Sequence, residues 1–365
     1  HGRKVMPLVA GAGASGGTPQ DALDLLSVPG ELWHAEGGPG DVRCVACAHR
    51  CLLRDGRRGV CKVRYNTGGT LHVPHGYVVA LQCDPIEKKP FYHLLPGSDA
   101  LTFGMLGCDF HCGYCQNWLT SQALRDASAG AAPTPMTAES IVDAARRRGA
   151  AAIVSSYNEP MITAEWAVEV FRAGRPHGFR TGFVSNGNGT PEVLDYIRPW
   201  TDAIKVDLKA IDERPYRSLG GQLRNVLACI GWAVERDFWV EIVTLLVPGF
   251  NDKGDAVRRT ADAIAAVSPA IPWHVTAFHQ DYRMTDPRNT TADDLVQACE
   301  TGREAGLRFV YAGNMPGRVG RWEHTWCPDC GELLVERFGY NIRKQRTTAE
   351  GACPACGGRI PGIWK

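Results

Sequence analysis

Cys108, Cys112 and Cys115 stand in the stretch Gly107-Cys-Asp-Phe-His-Cys-Gly-Tyr-Cys-Gln-Asn-Trp118, a C-x3-C-x2-C triplet directly after the apolar run Leu101-Thr-Phe-Gly-Met-Leu106. Iron–sulfur clusters that only carry electrons usually take four cysteine thiolates. Three thiolates can hold a four-iron cluster and leave one iron without a protein ligand, so the triplet predicts chemistry at that open position. The competing readings are an ordinary zinc site or three unrelated thiols. Zinc knuckles favour paired C-x2-C arms, which the triplet lacks.

Two further cysteine sets flank it. Cys327-Pro-Asp-Cys330 and Cys353-Pro-Ala-Cys356 are paired knuckles, each followed by a glycine. Four thiolates close a tetrahedral shell with no open position, so structural zinc is expected, with an auxiliary iron–sulfur cluster or redox thiols as alternatives. Upstream, Cys44-Val-Ala-Cys47-Ala-His-Arg-Cys51 and Cys61 make a second four-thiol set. Zinc, a second 4Fe-4S cluster and free thiols all fit it, since softness and thiolate count do not separate zinc from iron–sulfur. These sets take eleven of the fourteen cysteines and leave Cys83, Cys229 and Cys299 as buried thiols. Metal-like spacing rather than a disulfide framework predicts a reducing, cytoplasmic setting.

The 365 residues suffice for one large domain or two. Lys+Arg 40 against Asp+Glu 39 leaves a formal charge of +1, which gives no bulk electrostatic case for nucleic acid or a membrane surface. No apolar run has the length of a membrane span, and the first thirty residues lack the apolar core of a secretory signal.

Residues 1–40 are rich in Gly, Pro and Ala and read as a flexible lead-in; Gly11-Ala-Gly-Ala-Ser-Gly16 fits G-x-G-x-x-G without the strand–turn–helix setting a dinucleotide needs. Residues 41–98 form a Cys-rich arm. From Leu101 onward apolar runs alternate with helical patterns, the signature of repeated βα units and a parallel sheet. Strands are expected at 101–107, 151–156, 180–185, 202–208, 239–246, 273–278 and 308–312, with helices at 138–148, 164–175, 191–198, 224–236, 256–267 and 292–305. Six or seven such units suit an incomplete (β/α) barrel over 99–318, followed by a zinc-ribbon-like extension over 319–365. Function in such barrels sits at the C-terminal ends of the strands. Those ends carry polar residues: Ser155-Ser-Tyr-Asn-Glu-Pro160, Phe183-Val-Ser-Asn-Gly187, Lys205-Val-Asp-Leu-Lys209, Pro272-Trp-His-Val-Thr-Ala-Phe-His279 and Tyr311-Ala-Gly-Asn314. Alternation sends Asp207 and Lys209 to one face. Either they serve a ligand inside the barrel or they form a buried structural ion pair. His274 is open between core and ligand roles, and Pro160 also suits the first turn of a helix. In Asp84-Pro-Ile-Glu-Lys-Lys-Pro-Phe-Tyr-His93, Lys88, Lys89 and His93 either line the substrate side or belong to a solvated charge run.

The triplet, with Tyr114 just before its last cysteine, resembles the signature of the radical S-adenosylmethionine (SAM) enzymes. With the N-terminal four-cysteine arm, Asp-Pro-Ile-Glu-Lys-Lys-Pro, Cys-Gln-Asn-Trp, Tyr-Asn-Glu-Pro and the terminal knuckles, the order of features from Cys44 to Trp364 is similar to the AmmeMemoRadiSam-system radical SAM enzymes, close to the pyruvate formate-lyase activating enzymes. The resemblance implies a partial (β/α)6-type barrel and an enzyme that cleaves SAM reductively at a 4Fe-4S cluster on Cys108, Cys112 and Cys115. The 5′-deoxyadenosyl radical would then abstract hydrogen from a protein glycyl residue or a small metabolite. It also implies an electron donor such as flavodoxin or ferredoxin. Tyr157, Asn158 and Glu159 match the Gly-Gly-Glu-Pro motif that holds the amino group of SAM. Ser185 and Asn186 match Asp-Thr-Asn-Gly, with Val184 in place of its acid. Asp207 and Lys209 match Asp-Leu-Lys, facing the carboxylate of SAM, and His279 the position that contacts the nucleoside. A zinc-dependent binding module without radical chemistry is the rival from another class.

Overall fold

The computed structural model describes residues 19–365, so the Gly11–Gly16 run lies outside the described residues. Eight strands form the main sheet in sequence order. Strand β1 (Ala80–Pro85) runs antiparallel along β2 (Asp99–Gly104), and the next six follow in parallel: β3 (Ala152–Ser155), β4 (Arg180–Ser185), β5 (Ala203–Asp207), β6 (Trp239–Leu246), β7 (Trp273–Ala277) and β8 (Val310–Gly313). The seven parallel strands are those the apolar runs predict.

Between them lie the helices α1 (Ala138–Arg147), α2 (Ala164–Gly174), α3 (Pro191–Ile197), α4 (Leu223–Glu235), α5 (Ala256–Val267) and α6 (Ala292–Glu304). Their starts are written in side chains. Thr137 and Thr190 accept the amides of Ser140 and Val193, Pro191 opens α3, and Thr291 with Asp294 forms a capping box. One face of the strands, with Leu101, Phe103, Ile153, Phe183, Ile204 and Val206, packs on these helices. The opposite face, with Ala100, Ala152, Val154 and Ala203, closes on Ile86, Phe91 and Leu94 from the segment joining β1 to β2.

That segment closes the floor of the sheet. The buried Glu241 carboxylate accepts the amides of Tyr92 and His93, both at 2.9 Å. His93 is fully buried. The structure therefore places it in the core, and Lys89 is buried as well, bonded to Asp84 and to the Tyr157 hydroxyl at 3.1 Å each. Asp84 pairs with both lysines of the run, of which Lys89 turns inward and Lys88 stays partly exposed.

A C-terminal sheet of β9 (Thr325–Trp326), β10 (Leu333–Phe338) and β11 (Asn341–Gln345) covers the β8 side. A chain of donors fastens it. Buried Arg337 donates to Thr325 Oγ1 (2.8 Å), which bonds the Tyr311 hydroxyl (2.9 Å); Tyr311 meets His93 Nε2 (2.7 Å), and His93 Nδ1 meets the Pro361 carbonyl (2.6 Å). The direction is consistent for a neutral imidazole that donates from Nδ1 and accepts at Nε2. At the other end, the Cys-rich arm is built from short antiparallel strands. Its buried Arg64 reaches both carboxylate oxygens of Glu165 on α2, at 2.8 and 2.7 Å. Among the described residues, no helix is long and apolar enough to cross a membrane.

Candidate active site

The cysteine triplet occupies the loop after β2. Gly107 opens it at φ +95°, a left-handed conformation that favours glycine, and a Cβ there would lie 2.7 Å from Val63 Cγ1 and 3.1 Å from the Cys61 carbonyl. The loop is thus pressed directly on the Cys-rich arm. Its far side is pinned by the His111 amide on the Leu219 carbonyl at 2.9 Å. Cys115 Sγ sits 3.2 Å from the Ser121 hydroxyl. Burial raises all three thiols above their usual range, Cys112 to about 12. Thiols so placed ionise when a metal cation replaces the proton.

Asp109, which follows Cys108, is buried and accepts the side-chain amides of Asn186 (2.7 Å) and Asn188 (2.8 Å). Asn186 Nδ2 also lies 3.9 Å from Cys108 Sγ. Glu159 completes this network: its carboxylate accepts the Ser185 hydroxyl (2.7 Å), the Asn186 amide (2.7 Å) and the Met161 amide (3.0 Å). Burial, and then the nearby Asp109 charge, push the Glu159 carboxyl upward against those donors. Glu159, Ser185 and Asn186 therefore meet beside Cys108.

Tyr157 and Asn158 belong to the same loop as Glu159, with the Tyr157 carbonyl accepting the Thr120 hydroxyl at 2.8 Å. Tyr157 adopts φ +71°. This costs a non-glycine residue about 1–2 kcal/mol, and strain of this kind concentrates at functional sites. Its hydroxyl goes to Lys89, whereas Asn158 accepts the Met105 amide (3.0 Å) and donates to Thr163 (3.4 Å).

Below Cys112, Asp207 lies between two lysines. Lys205 bonds one oxygen and Lys209 Nζ the other at 3.2 Å. Burial opposes ionisation, yet the two ammonium groups hold the Asp207 carboxyl down at about 2. The Asp207 carboxylate beside it pushes the Lys209 ammonium up despite burial. Buried Tyr114 packs edge-on against Phe250, with ring centroids 5.7 Å apart. His279, on the exposed rim after β7, meets Gln116 at 3.2 Å, next to Cys115. His274 lies in the core, bonded to Glu241 at 2.7 Å. Asn314 bonds the Tyr340 hydroxyl at 3.1 Å.

Asp109, Asn188 and Lys205 are the residues that the spacing of motifs does not reveal. The adjacency of Asp109 to Cys108 and the repeated Asn-Gly at 186–189 are the signals the sequence offers for the first two, and strand alternation puts Lys205 on the face of Asp207.

Cys327, Cys330, Cys353 and Cys356 converge so that all four sulfurs lie within 4.8 Å of one another, with two sulfur pairs at 3.6 Å. A zinc ion with bonds of about 2.3 Å places tetrahedral sulfurs about 3.8 Å apart, so these four fit a single ion. Among the described residues no three sulfurs of the triplet, or of Cys44, Cys47, Cys51 and Cys61, come that close. Between the arm and the segment 213–225 opens a cavity of about 700 Å3, lined in part by His49, Asn188, Arg217 and Arg224.

The pattern describing the radical SAM superfamily matches residues 103–264, the span from β2 into α5 that carries the triplet and its network. The chain belongs to the radical SAM superfamily. An uncharacterized protein of Methanocaldococcus jannaschii is 34% identical over 322 residues, covering 87% of this chain and 95% of the relative. A second protein of that organism, named provisionally as a glycyl-radical enzyme activating enzyme, is 24% identical over 58% of this chain and 79% of its own length. Among solved structures, a radical SAM methyltransferase from Sphaerobacter thermophilus has a TM-score of 0.47 at 17% identity, over 65% of this chain and 71% of that one. A domain of pyruvate-formate lyase-activating enzyme from Bacteroides vulgatus has 0.40 at 17% identity, over 45% and 99%. Radical SAM membership makes the protein an enzyme and implies SAM and an iron–sulfur cluster as its cofactors.

Proposed function

We propose that the protein splits SAM reductively, at a 4Fe-4S cluster held by Cys108, Cys112 and Cys115, into methionine and a 5′-deoxyadenosyl radical that takes hydrogen from a substrate. The observation that carries this reading is the triplet itself. Its three thiols, Cys112 buried and Cys108 and Cys115 partly so, are spread more widely than one ion requires, as suits thiolates that each bind a different iron. They adjoin a carboxylate–amide network and a paired lysine.

The chain's own residues would bind and orient SAM. Lys209 has three N–H donors and spends one on Asp207, leaving two for a carboxylate. Asp207 keeps that ammonium charged and in place. Glu159 braces the backbone of 157–159 against Ser185 and Asn186, which fixes the rim where the amino group of SAM would lie. His279 stands on the exposed side next to Cys115, suited to the nucleoside. A one-electron donor of the flavodoxin or ferredoxin type would supply the reducing electron, and the hydrogen donor is a protein glycyl residue or a small metabolite.

The test is to incubate anaerobically purified protein with SAM and dithionite and to follow 5′-deoxyadenosine and methionine by mass spectrometry. Both are expected in equal amounts, and neither from Cys112→Ala. A colourless, iron-free protein after anaerobic purification would remove the reading.

A further inference from the structure

The four sulfurs of Cys44, Cys47, Cys51 and Cys61 differ in arrangement from the C-terminal four. Both sets are thiol-only, and each has at least two buried members. Yet the C-terminal sulfurs gather within 4.8 Å, and no three of the N-terminal ones do. A single tetrahedral ion needs sulfurs about 3.8 Å apart, whereas a cubic cluster takes each thiolate on a different corner and holds them further apart. Gly59 faces Cys51 Sγ and Cys61 Sγ from 3.5 and 3.6 Å, measured to where its Cβ would be, so that side of the set stays free of side chain.

Its position relative to the triplet is equally specific. Gly107, next to Cys108, packs on the Cys61 carbonyl. His49, between Cys47 and Cys51, lies 4.0 Å from the Asp109 carboxylate, and the Ala48 amide bonds the Asn188 carbonyl at 2.8 Å. The segments that carry the two thiol sets thus touch directly, at Gly107 on Cys61 and at His49 beside Asp109. Cys44, Cys47 and Cys61 are buried, and Cys51 is partly exposed between the rim residues Leu52 and Val60, which are 43% and 41% exposed.

We infer that Cys44, Cys47, Cys51 and Cys61 hold a second 4Fe-4S cluster rather than zinc, and that it receives the reducing electron on its way to the triplet. The electron-relay role rests on the radical SAM reading above; the identity of the metal does not. The transfer breaks no bond: a low-potential one-electron carrier is oxidised by one electron, and the triplet's cluster is reduced by one.

The experiment counts metals in the full chain purified without oxygen and titrates it with dithionite under electron paramagnetic resonance. Wild type should hold about eight irons and one zinc. Cys47→Ala should keep about half the iron and a reduced signal that changes on adding SAM. Cys112→Ala should keep the other half, with a signal indifferent to SAM. About four irons with two zincs in wild type would overturn the inference, as would Cys47→Ala with undiminished iron. Cys112→Ala with undiminished iron would instead count against the proposed function. Wild-type metal content decides the point even where Cys47→Ala does not fold.

Discussion

Glu159 Oε1 accepts the Ser185 hydroxyl at 2.7 Å, a bond across 26 residues of sequence that ties the loop after β3 to the end of β4. With the Asn186 amide on the other oxygen, one carboxylate fixes two of the loops that ring Cys108.

Replacing it should be felt in ligand affinity. Glu159→Ala leaves a buried hydroxyl and two buried amides, those of Asn186 and Met161, without their carboxylate acceptor, at about 1–3 kcal/mol each. SAM affinity is expected to fall by about tenfold or more, equivalent to about 1.4 kcal/mol. Iron content should be retained. Calorimetry paired with an iron assay checks both, and unchanged affinity would take Glu159 out of the site.

Asp109→Ala removes the shared acceptor of Asn186 and Asn188. Two amide donors beside Cys108 lose their partner, so a loss of about 2–4 kcal/mol in stability is expected. The visible absorbance of the cluster should bleach faster in air than in wild type. A variant with wild-type melting temperature and bleaching rate would show that Asp109 does not position the loop.

Cys327→Ser breaks the C-terminal tetrahedron. Zinc should fall by about one per chain and the melting temperature with it, while the iron spectrum stays as it was. Loss of iron at an unchanged melting temperature would mean that this knuckle holds a different metal.

Much of the barrel is legible in the amino-acid order alone. The seven parallel strands follow from apolar runs such as 151–156 and 202–208, because strands covered on both faces read as continuous hydrophobic stretches. The six helices fall within one residue of their expected bounds, since their threonine caps and amphipathic periods are local signals. Strand β1 is not legible in this way. Its sequence Ala-Leu-Gln-Cys-Asp-Pro has no such pattern, and pairing with β2 defines it. His93 is equally opaque: its place in the core depends on Tyr311 and Pro361, far along the chain. Asp109 is a single residue whose partners come from another loop, and spacing cannot announce that.

Acid should destabilise the protein in two stages. Burial holds His93 down at about 4, against a usual value of 6.5, despite the nearby Glu241. The unfolded chain therefore binds the extra proton first, so this contribution is complete above pH 6.5 and is lost as pH falls from 6.5 through 4, worth up to about 3 kcal/mol. Glu241 is buried too, but His274 and the amides of Tyr92 and His93 hold its carboxyl at about 2 against the usual 4.5. Its share is lost between pH 4.5 and 2. Urea unfolding at pH 7.5, 6 and 5 should show the midpoint dropping with acid, and His93→Gln, which cannot titrate, should flatten that slope. Equal slopes for the two proteins would remove His93 as the cause.

The bond between His93 and the Pro361 carbonyl joins positions 268 residues apart. Closing so long a loop carries an entropic cost that is met before the contact rewards it, and topologies dominated by such contacts fold slowly. Until residues 361–363 reach the 93–95 segment, β8 and the aromatic side chains around Tyr311 stay uncovered, and the half-made sheet is sticky. Low temperature and slow synthesis should therefore raise the soluble yield of this chain more than extra metal does.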